Sequence, residues 1–241
     1  VGSEMCIRDS GETDNFIAEY ESRMGFKIEE GKPLGQFFGL IYDGIYTTDD
    51  FVQNADGGYT LKDGIPYLKG SNRENVKPGD AKYRPTAGEV DADGNPVWGT
   101  NDRTVIGNAA PDFIGGWNNT FTYKGFDLTI FMNFVVGNDV FSMSTQRFIG
   151  PYLANQNTLE KMKNRFTLID PLTGKESTDL ARLAALNPHQ YSGDALWNIS
   201  GNNKTAISER SSYYLEDGSY LRLNTTVSYT HLRAHETELH L

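Results

Sequence analysis

The chain has 241 residues, a formal net charge of −10 and a single cysteine. An acidic chain repels phosphate, so nucleic-acid binding is excluded as a main role, and one cysteine excludes a disulfide framework. No apolar run approaches the roughly 20 residues that a membrane-spanning helix needs. The negative mean hydropathy of the chain is still compatible with membrane strands, in which only alternate residues meet lipid.

The two ends of the chain are encoded by one DNA sequence read in opposite directions. The first nine residues, VGSEMCIRD, and residues 227–235, VSYTHLRAH, can be written with complementary codons. We therefore interpret residues 1–10 and 227–241 as read-through from a sequencing adapter. On this interpretation Cys6 and the histidines at the C-terminal end have no function, and fold reasoning applies only to residues 11–226.

The first half of the remaining chain predicts a few strands and a long loop. Residues 13–22 alternate loosely between apolar and polar side chains, and residues 35–46 are aromatic and interrupted by glycine, which favours strands. Residues 47–110 are rich in Asp, Gly, Asn and Pro, the composition of an irregular loop.

One stretch of that loop has the spacing of a calcium-binding loop. Asp91, Asp93 and Asn95 stand two residues apart, and Asp102 falls at the twelfth position, so that oxygen ligands could wrap Ca²⁺. The sixth position is Pro96 rather than the glycine that the sharp turn requires. The pattern therefore leaves two alternatives, a Ca²⁺ site and a solvated acidic loop. We expect no other cofactor.

Residues 113–136 predict a long β-hairpin. Two segments of about 11 residues, 113–123 and 126–136, flank Lys124-Gly125, a dipeptide suited to a tight turn. In the second segment every other residue is apolar: Phe126, Leu128, Ile130, Met132, Phe134 and Val136. Eleven residues is also the length that a tilted strand needs to cross the apolar layer of a bilayer.

The second half predicts another long insertion and a final strand. Residues 138–212 are polar and contain two candidate helices, one capped by Asn157 and one that stops before Pro188. Residues 220–229 alternate again, with Leu221, Leu223 and Thr225 predicted on one face and Arg222, Asn224 and Thr226 on the other. Tight turns at one end of the strands and long loops at the other are typical of outer-membrane barrels.

The pattern alone leaves two architectures open. A soluble β-sandwich would bury one face of each strand, whereas a membrane barrel would present an outer apolar band. Sandwich strands usually have five or six residues, so two consecutive strands of about 11 residues favour the barrel.

Several blocks of the sequence resemble a known family. EGKPLGQFFGLIYDGIYTTDDF, KPGDAKY, the run from DRTVIGNAAPDF to VVGNDVF, and EDGSYLRLNTTVSY occur in this order. Together they are similar to the C-terminal barrel half of the SusC/RagA family of TonB-dependent outer-membrane transporters from Bacteroidota. The resemblance covers most of residues 29–226 and includes no catalytic motif.

The resemblance implies an all-β fold: an incomplete antiparallel transmembrane β-barrel, seen as an open curved sheet in a fragment, with long extracellular loops. It implies a Gram-negative outer-membrane importer of oligosaccharides or peptides, energised through TonB and covered by a SusD-like lipoprotein. Asp127, Thr129 and Asn133 would then face the lumen. The six alternating apolar residues of 126–136 would face lipid.

Substrate contacts are expected in the two long loops, because sugars stack on aromatic rings. Tyr152, Tyr191 and Trp197 are the candidates, although the same residues could instead contact the lipoprotein or other loops. An enzyme is not expected, since His189 is the only histidine outside the adapter-derived ends and no nucleophile–base set can be assembled. The alternative function is a surface-anchored β-sandwich that binds carbohydrate.

Overall fold

The computed structural model describes residues 15–20, 24–29, 31–149, 155, 157–199 and 209–230. Within them the fold is mainly antiparallel β-structure with two short helices, as the sequence predicts. The helices are α1 (Met143–Ile149) and α2 (Leu180–Leu186). No helix in the described part of the chain is long and apolar enough to cross a membrane.

In the described residues the strands form a three-stranded sheet of long strands, named here the long sheet, a four-stranded sheet of shorter strands and five two-stranded sheets. They are β1 (Asn15–Tyr20), β2 (Met24–Glu29), β3 (Gln36–Gly39), β4 (Tyr42–Ile45), β5 (Phe51–Gln53), β6 (Tyr59–Leu61), β7 (Tyr67–Leu68), β8 (Ala81–Tyr83), β9 (Val97–Trp98), β10 (Thr104–Asn108), β11 (Phe113–Tyr123), β12 (Phe126–Val136), β13 (Asp139–Phe141), β14 (Ile169–Asp170), β15 (Lys175–Glu176), β16 (Leu215–Asp217) and β17 (Tyr220–Thr230).

The predicted long hairpin is confirmed at its predicted bounds. Strands β11 and β12 have 11 residues each and pair in unbroken register from Phe113 opposite Val136 to Tyr123 opposite Phe126. Lys124 and Gly125 take φ values of 48° and 80°. Two positive φ values are those of a type I′ turn, whose twist matches that of the flanking strands.

Strand β17 completes the long sheet, but a bulge changes one predicted face. Thr225 pairs with Phe131 and Leu223 pairs with Met132, so Asn224 is left without a partner in the register. Directly paired residues lie on the same face. Leu221 and Leu223 therefore lie with the apolar residues of β12 as predicted, whereas Thr225 and Thr226 have exchanged faces, because a bulge shifts the alternation by one residue.

The two long connections leave the long sheet at one end. Strand β12 ends, and strands β11 and β17 begin, at the end opposite the Lys124-Gly125 turn. Residues 137–219 link β12 to β17 there, which agrees with the predicted asymmetry of short turns and long loops. Of the segments assigned to the adapter, residues 227–230 are described and continue β17. The adapter assignment itself stays a prediction.

Residues 47–110, predicted as an irregular loop, and residues 138–212, predicted as a polar insertion with two helices, do not form separate loops. These segments, named here the first and second insertions, pack against each other around a hydrophobic core. The larger cluster combines both insertions with flanking residues: Leu40, Ile45, Ala81, Tyr83, Trp98, Ile149, Met162, Phe166, Leu168, Leu183, Ala195, Leu196, Trp197 and Tyr214. A smaller cluster lies largely within the first insertion, around Phe51, Leu61 and Val97.

Short elements match the sequence predictions unevenly. Helix α2 is confirmed, with the Asp179 carboxylate as an N-cap that accepts hydrogen bonds from the amides of Ala181 and Arg182. The helix expected from Asn157 onward is only a 3₁₀ turn at Glu160–Asn164. Helix α1 was not predicted. The aromatic segment 35–46 forms two strands, β3 and β4, which join different sheets.

Candidate functional site

One face of the long sheet is mainly apolar. It consists of the predicted lipid-facing residues of β12 and their apolar partners in the register, and we name it the apolar face. Its members are Phe113, Trp117, Phe121, Tyr123, Phe126, Leu128, Ile130, Met132, Phe134, Val136, Leu221 and Leu223. The same side also carries Gly115, Asn119, Thr226, Ser228 and Thr230, which interrupt it. No residue of β11, β12 or β17 is buried. Exposure reaches 50% at Phe121 and 70% at Leu221.

The opposite side of β12 is polar with two apolar interruptions, and we name it the mixed face. Asp127, Thr129 and Asn133 lie on it, as the alternation predicts, and the hydroxyl of Thr129 is 3.2 Å from that of Thr120 on β11. Phe131 and Val135 lie on the same side. The ring of Phe131 lies beside Gly116, where an added Cβ would be 3.6 Å from it.

A glycine on the apolar face makes room for an aromatic ring. Gly115 is paired with Phe134, and a Cβ at Gly115 would overlap the Phe134 ring. Phe134 also meets Phe113 edge-on, with ring centroids 6.0 Å apart. The ring therefore covers the backbone of the neighbouring strand and supplies apolar surface at a position without a side chain.

Aromatic residues often lie at the two interfaces of membrane strands, and of Trp117, Tyr123 and Tyr220 only one is well placed for this. Tyr123 lies on the apolar face beside the hairpin turn, with Lys124 Nζ 5.2 Å from its ring centroid. Trp117 is on the same face but pairs with Met132, in the interior of the strand. Tyr220 pairs with Val135 and therefore lies on the mixed face.

The three candidate substrate residues have different environments. Trp197 is 0% exposed, and Tyr213 packs edge-on to it at 4.8 Å between ring centroids. A buried ring has no face on which a sugar could stack, so the structure gives Trp197 a packing role. Tyr191 is 62% exposed, and its hydroxyl donates a 2.8 Å hydrogen bond to Asp49 Oδ2, which raises the pKa of Tyr191. Tyr152 lies outside the described residues.

The predicted calcium ligands are occupied by hydrogen bonds within the protein. Asp91 Oδ1 accepts from the backbone amides of Asp93 and Asn95 at 2.9 and 2.8 Å. Asp102 is fully buried, and its two carboxylate oxygens accept from the amides of Ala87 and Gly99, both at 2.7 Å. In the part of the chain that the structure describes, no three His, Cys, Asp or Glu side chains form a metal cluster. Asp91 and Asn95 meet, since Asn95 Nδ2 donates to Asp91 Oδ2 at 3.2 Å, but Asp91, Asp93 and Asp102 do not form a cluster of carboxylates.

Sequence reasoning missed a buried carboxylate in the first insertion. Asp80 is 8% exposed and accepts hydrogen bonds from the Lys77 amide at 2.9 Å and from Asn198 Nδ2 at 2.7 Å. Burial raises the pKa of Asp80 to about 6. The available signal was the block KPGDAKY, in which a proline and a glycine precede the acid and mark a turn.

A second carboxylate stabilises the surface of the second insertion. Asp170 accepts two hydrogen bonds from the Arg182 guanidinium, each 2.9 Å long. This pair lowers the pKa of Asp170 to about 2. The bidentate geometry fixes the β14–β15 hairpin to helix α2, because both acceptor oxygens meet one planar donor group.

Comparison with known proteins gives one class of relative. No family model matches the chain. TonB-dependent receptor P39 of Formosa agariphila is 31% identical over 137 residues, which cover 48% of this chain and 13% of the receptor. TonB-dependent receptor P3 of the same organism is 26% identical over 198 residues, which cover 81% of this chain and 15% of the receptor.

Solved structures of the RagAB peptide importer also align with the chain. The closed-closed state aligns with 17% identity and a TM-score of 0.47, covering 89% of this chain and 18% of that one. The sequence relatives confirm the resemblance to TonB-dependent receptors. The chain is similar to a segment of such receptors and spans 12 to 15% of the length of the curated relatives that it matches.

Proposed function

We propose that this chain is part of the wall of an outer-membrane β-barrel, and that its long sheet crosses the bilayer. The observation that carries the proposal is the apolar face: three 11-residue strands present it, and none of their residues is buried. In water such a surface is unfavourable, at about 25 cal/mol for each Å² of apolar area left exposed. Lipid chains remove that penalty.

The mixed face suits the inside of the same wall. Asp127 and Asn133 would be costly against lipid, since moving a charged or polar side chain from water into hydrocarbon costs several kcal/mol. In a barrel lumen this face meets water or substrate instead. A β-sandwich would instead need a second layer over the apolar face, and within the described residues no such layer covers it.

The activity proposed for the whole protein is nutrient import across the outer membrane of a Gram-negative bacterium. The similarity to TonB-dependent receptors supports an importer that is energised through TonB. Its substrates would be oligosaccharides or peptides, and a SusD-like lipoprotein would cover the mouth. This segment supplies wall and mouth rather than catalysis, and Tyr191 is the exposed aromatic residue proposed to contact substrate.

Site-directed spin labelling of β12 tests the membrane assignment. Single cysteines are placed at Ile130 and Met132 on the apolar face and at Thr129 and Asn133 on the mixed face, with Cys6 replaced by serine, and the chain is incorporated into lipid vesicles. We expect labels at Ile130 and Met132 to collide with dissolved oxygen and to be shielded from a water-soluble nickel chelate. Labels at Thr129 and Asn133 should show the reverse.

Two other patterns would contradict the proposal. If the chelate reaches both faces, the sheet lies in water. If neither reagent reaches the labels of one face, that face is covered by protein, as the carbohydrate-binding sandwich requires. The alternation with a period of two between neighbouring labels is the internal control, because it does not depend on the absolute accessibility of any one site.

A further inference from the structure

The block KPGD, Lys77–Asp80, has no part in the proposed membrane wall, yet every one of its residues contacts the second insertion. Lys77 Nζ forms an ion pair with Glu176 Oε2 at 2.7 Å. The carbonyl oxygens of Pro78 and Gly79 accept from Asn198 Nδ2 at 3.0 Å and from the Asn198 amide at 2.6 Å. Asp80 Oδ1 accepts from Asn198 Nδ2 at 2.7 Å. Four consecutive residues therefore join two insertions that lie about 120 residues apart in the chain.

Gly79 lies at a close approach of the two insertions. Its φ is +82°, in the left-handed region that side chains avoid, and a Cβ there would overlap the ring of Phe166 in the second insertion. Its amide donates to the carbonyl of Tyr46 at 2.6 Å. Gly79 thus adopts the backbone conformation of the turn, forms backbone hydrogen bonds to Tyr46 and to Asn198, and leaves space for the buried ring of Phe166.

The contacts at this point are desolvated, which makes them costly to open. Asn198 is 2% exposed and Phe166 is 1% exposed. A second buried contact also joins the two insertions. Gln190 Oε1 of the second insertion accepts hydrogen bonds from the amide and hydroxyl of Thr48 in the first, at 2.9 and 3.2 Å. Separating the insertions would replace these buried hydrogen bonds with hydrogen bonds to water and would expose the larger hydrophobic cluster, which is the main cost.

We propose that Lys77–Asp80 is a clasp that locks the two insertions into one rigid body. The surface that they form outside the long sheet then moves as a whole, and neither insertion opens by itself. This proposal goes beyond the membrane assignment and does not depend on it, since all of its contacts lie outside β11, β12 and β17.

The first test is a distance measurement in a chain whose clasp residues are unchanged. Spin labels are placed at Val52 in the first insertion and Leu172 in the second, both exposed, in the full chain in detergent micelles with Cys6 replaced by serine. One rigid body predicts a single narrow distance distribution between the two labels by pulsed electron paramagnetic resonance. A broad or two-peaked distribution would overturn the proposal.

A matched pair of glycine substitutions then tests the clasp itself. Gly79→Ala adds a methyl group against Phe166, whereas Gly64→Ala has nearly the same φ, +78°, and meets no atom within 4 Å. Both carry the same backbone strain, so their difference isolates the contact between insertions. We expect Gly79→Ala to broaden the distance distribution and to raise amide exchange rates on both insertions by at least about tenfold.

Gly64→Ala should leave the distances unchanged. Equal behaviour of the two variants would show that the clasp does not hold the insertions together. If Gly79→Ala does not fold, Asn198→Ala replaces it, with Asn95→Ala as its control. Asn95 is also buried, but its side chain bonds only to Gly64 and Asp91 of its own insertion. Exchange that rises only in the insertion carrying the substitution would equally overturn the proposal.

Discussion

The long sheet and the two insertions use the same residue types in opposite ways. In the insertions the most buried aromatic rings are interior groups: Trp197, Tyr83 and Phe166 have almost no exposed surface. In the long sheet aromatic rings are surface groups, with Phe121 and Tyr123 half or more exposed. One chain therefore contains a part that buries its apolar surface within itself and a part that leaves it for its surroundings.

The difference shows where the stability of each part comes from. Burial of apolar surface from water stabilises the insertions, and their contacts join residues far apart in the chain. The long sheet is held by backbone ladders between neighbouring strands and by cross-strand pairs. Within the described residues, the outer strands β11 and β17 each pair on one side only, and an edge strand of this kind can pair with another strand.

The largest expected effect comes from a matched pair of tryptophan substitutions. Trp197→Ala removes a fully buried ring and should lower the free energy of unfolding of the insertions by about 3 to 5 kcal/mol. Trp117→Ala removes an exposed ring on the apolar face and should leave the insertions unchanged within about 0.5 kcal/mol. Hydrogen exchange in increasing urea measures both. A similar loss in the two variants would mean that the parts are not separately stabilised.

A smaller effect is the pH dependence of the insertions. The pKa of Asp80 is raised by burial from its ordinary value of 3.8 to about 6, so the fold favours the protonated acid. Its contribution to stability is then fully present below about pH 3.8 and is lost as the pH rises through about 6. Between pH 4 and pH 7 the free energy of unfolding should fall by roughly 2 kcal/mol through this group.

Asp80→Asn isolates that contribution from those of other titrating groups. The wild-type chain and the variant are unfolded in urea at several pH values. The free energy of unfolding of the wild-type chain minus that of the variant should fall by roughly 2 kcal/mol from pH 4 to pH 7. A difference that does not change with pH would show that Asp80 titrates near its ordinary pKa. The long sheet should show no such trend from Asp80, since this residue lies in the first insertion.

The sequence could predict the long sheet because its determinants are local. Alternation with a period of two, a two-residue turn and strand length defined β11 and β12 to the residue. The bulge at Asn224 escaped prediction, because nothing in the residues of β17 distinguishes one register from a register shifted by one position. The resemblance to TonB-dependent receptors was likewise visible in ordered blocks of sequence.

The core of the insertions could not be predicted in the same way. Its strands have two to five residues, too short for any periodicity, and Trp197 is buried by Tyr42 and Tyr213, one of which is far away in the chain. The polar composition of the insertions, rich in Asp, Asn and Gly, favoured the interpretation that they are loops with a substrate-binding surface. The calcium site stays a prediction, and spacing alone did not reveal that Asp91 and Asp102 accept hydrogen bonds from backbone amides.

The smallest expected effect concerns the turn of the long hairpin. Lys124 has a φ of 48°, a left-handed conformation that costs a residue with a side chain about 1 kcal/mol or more, and that asparagine tolerates better. Lys124→Asn should therefore stabilise the hairpin. The substitution also removes the contact of the Lys124 ammonium with the Tyr123 ring, which reduces the gain in stability. The net gain should be about 0.5 kcal/mol, measured as slower amide exchange in β11 and β12 near the turn. Gly125→Ala, at a φ of 80°, is the control and should act in the opposite direction. Faster exchange in Lys124→Asn would mean that the ring contact contributes more than the backbone strain, and that the exposed end of the sheet is held by side chains rather than by its turn.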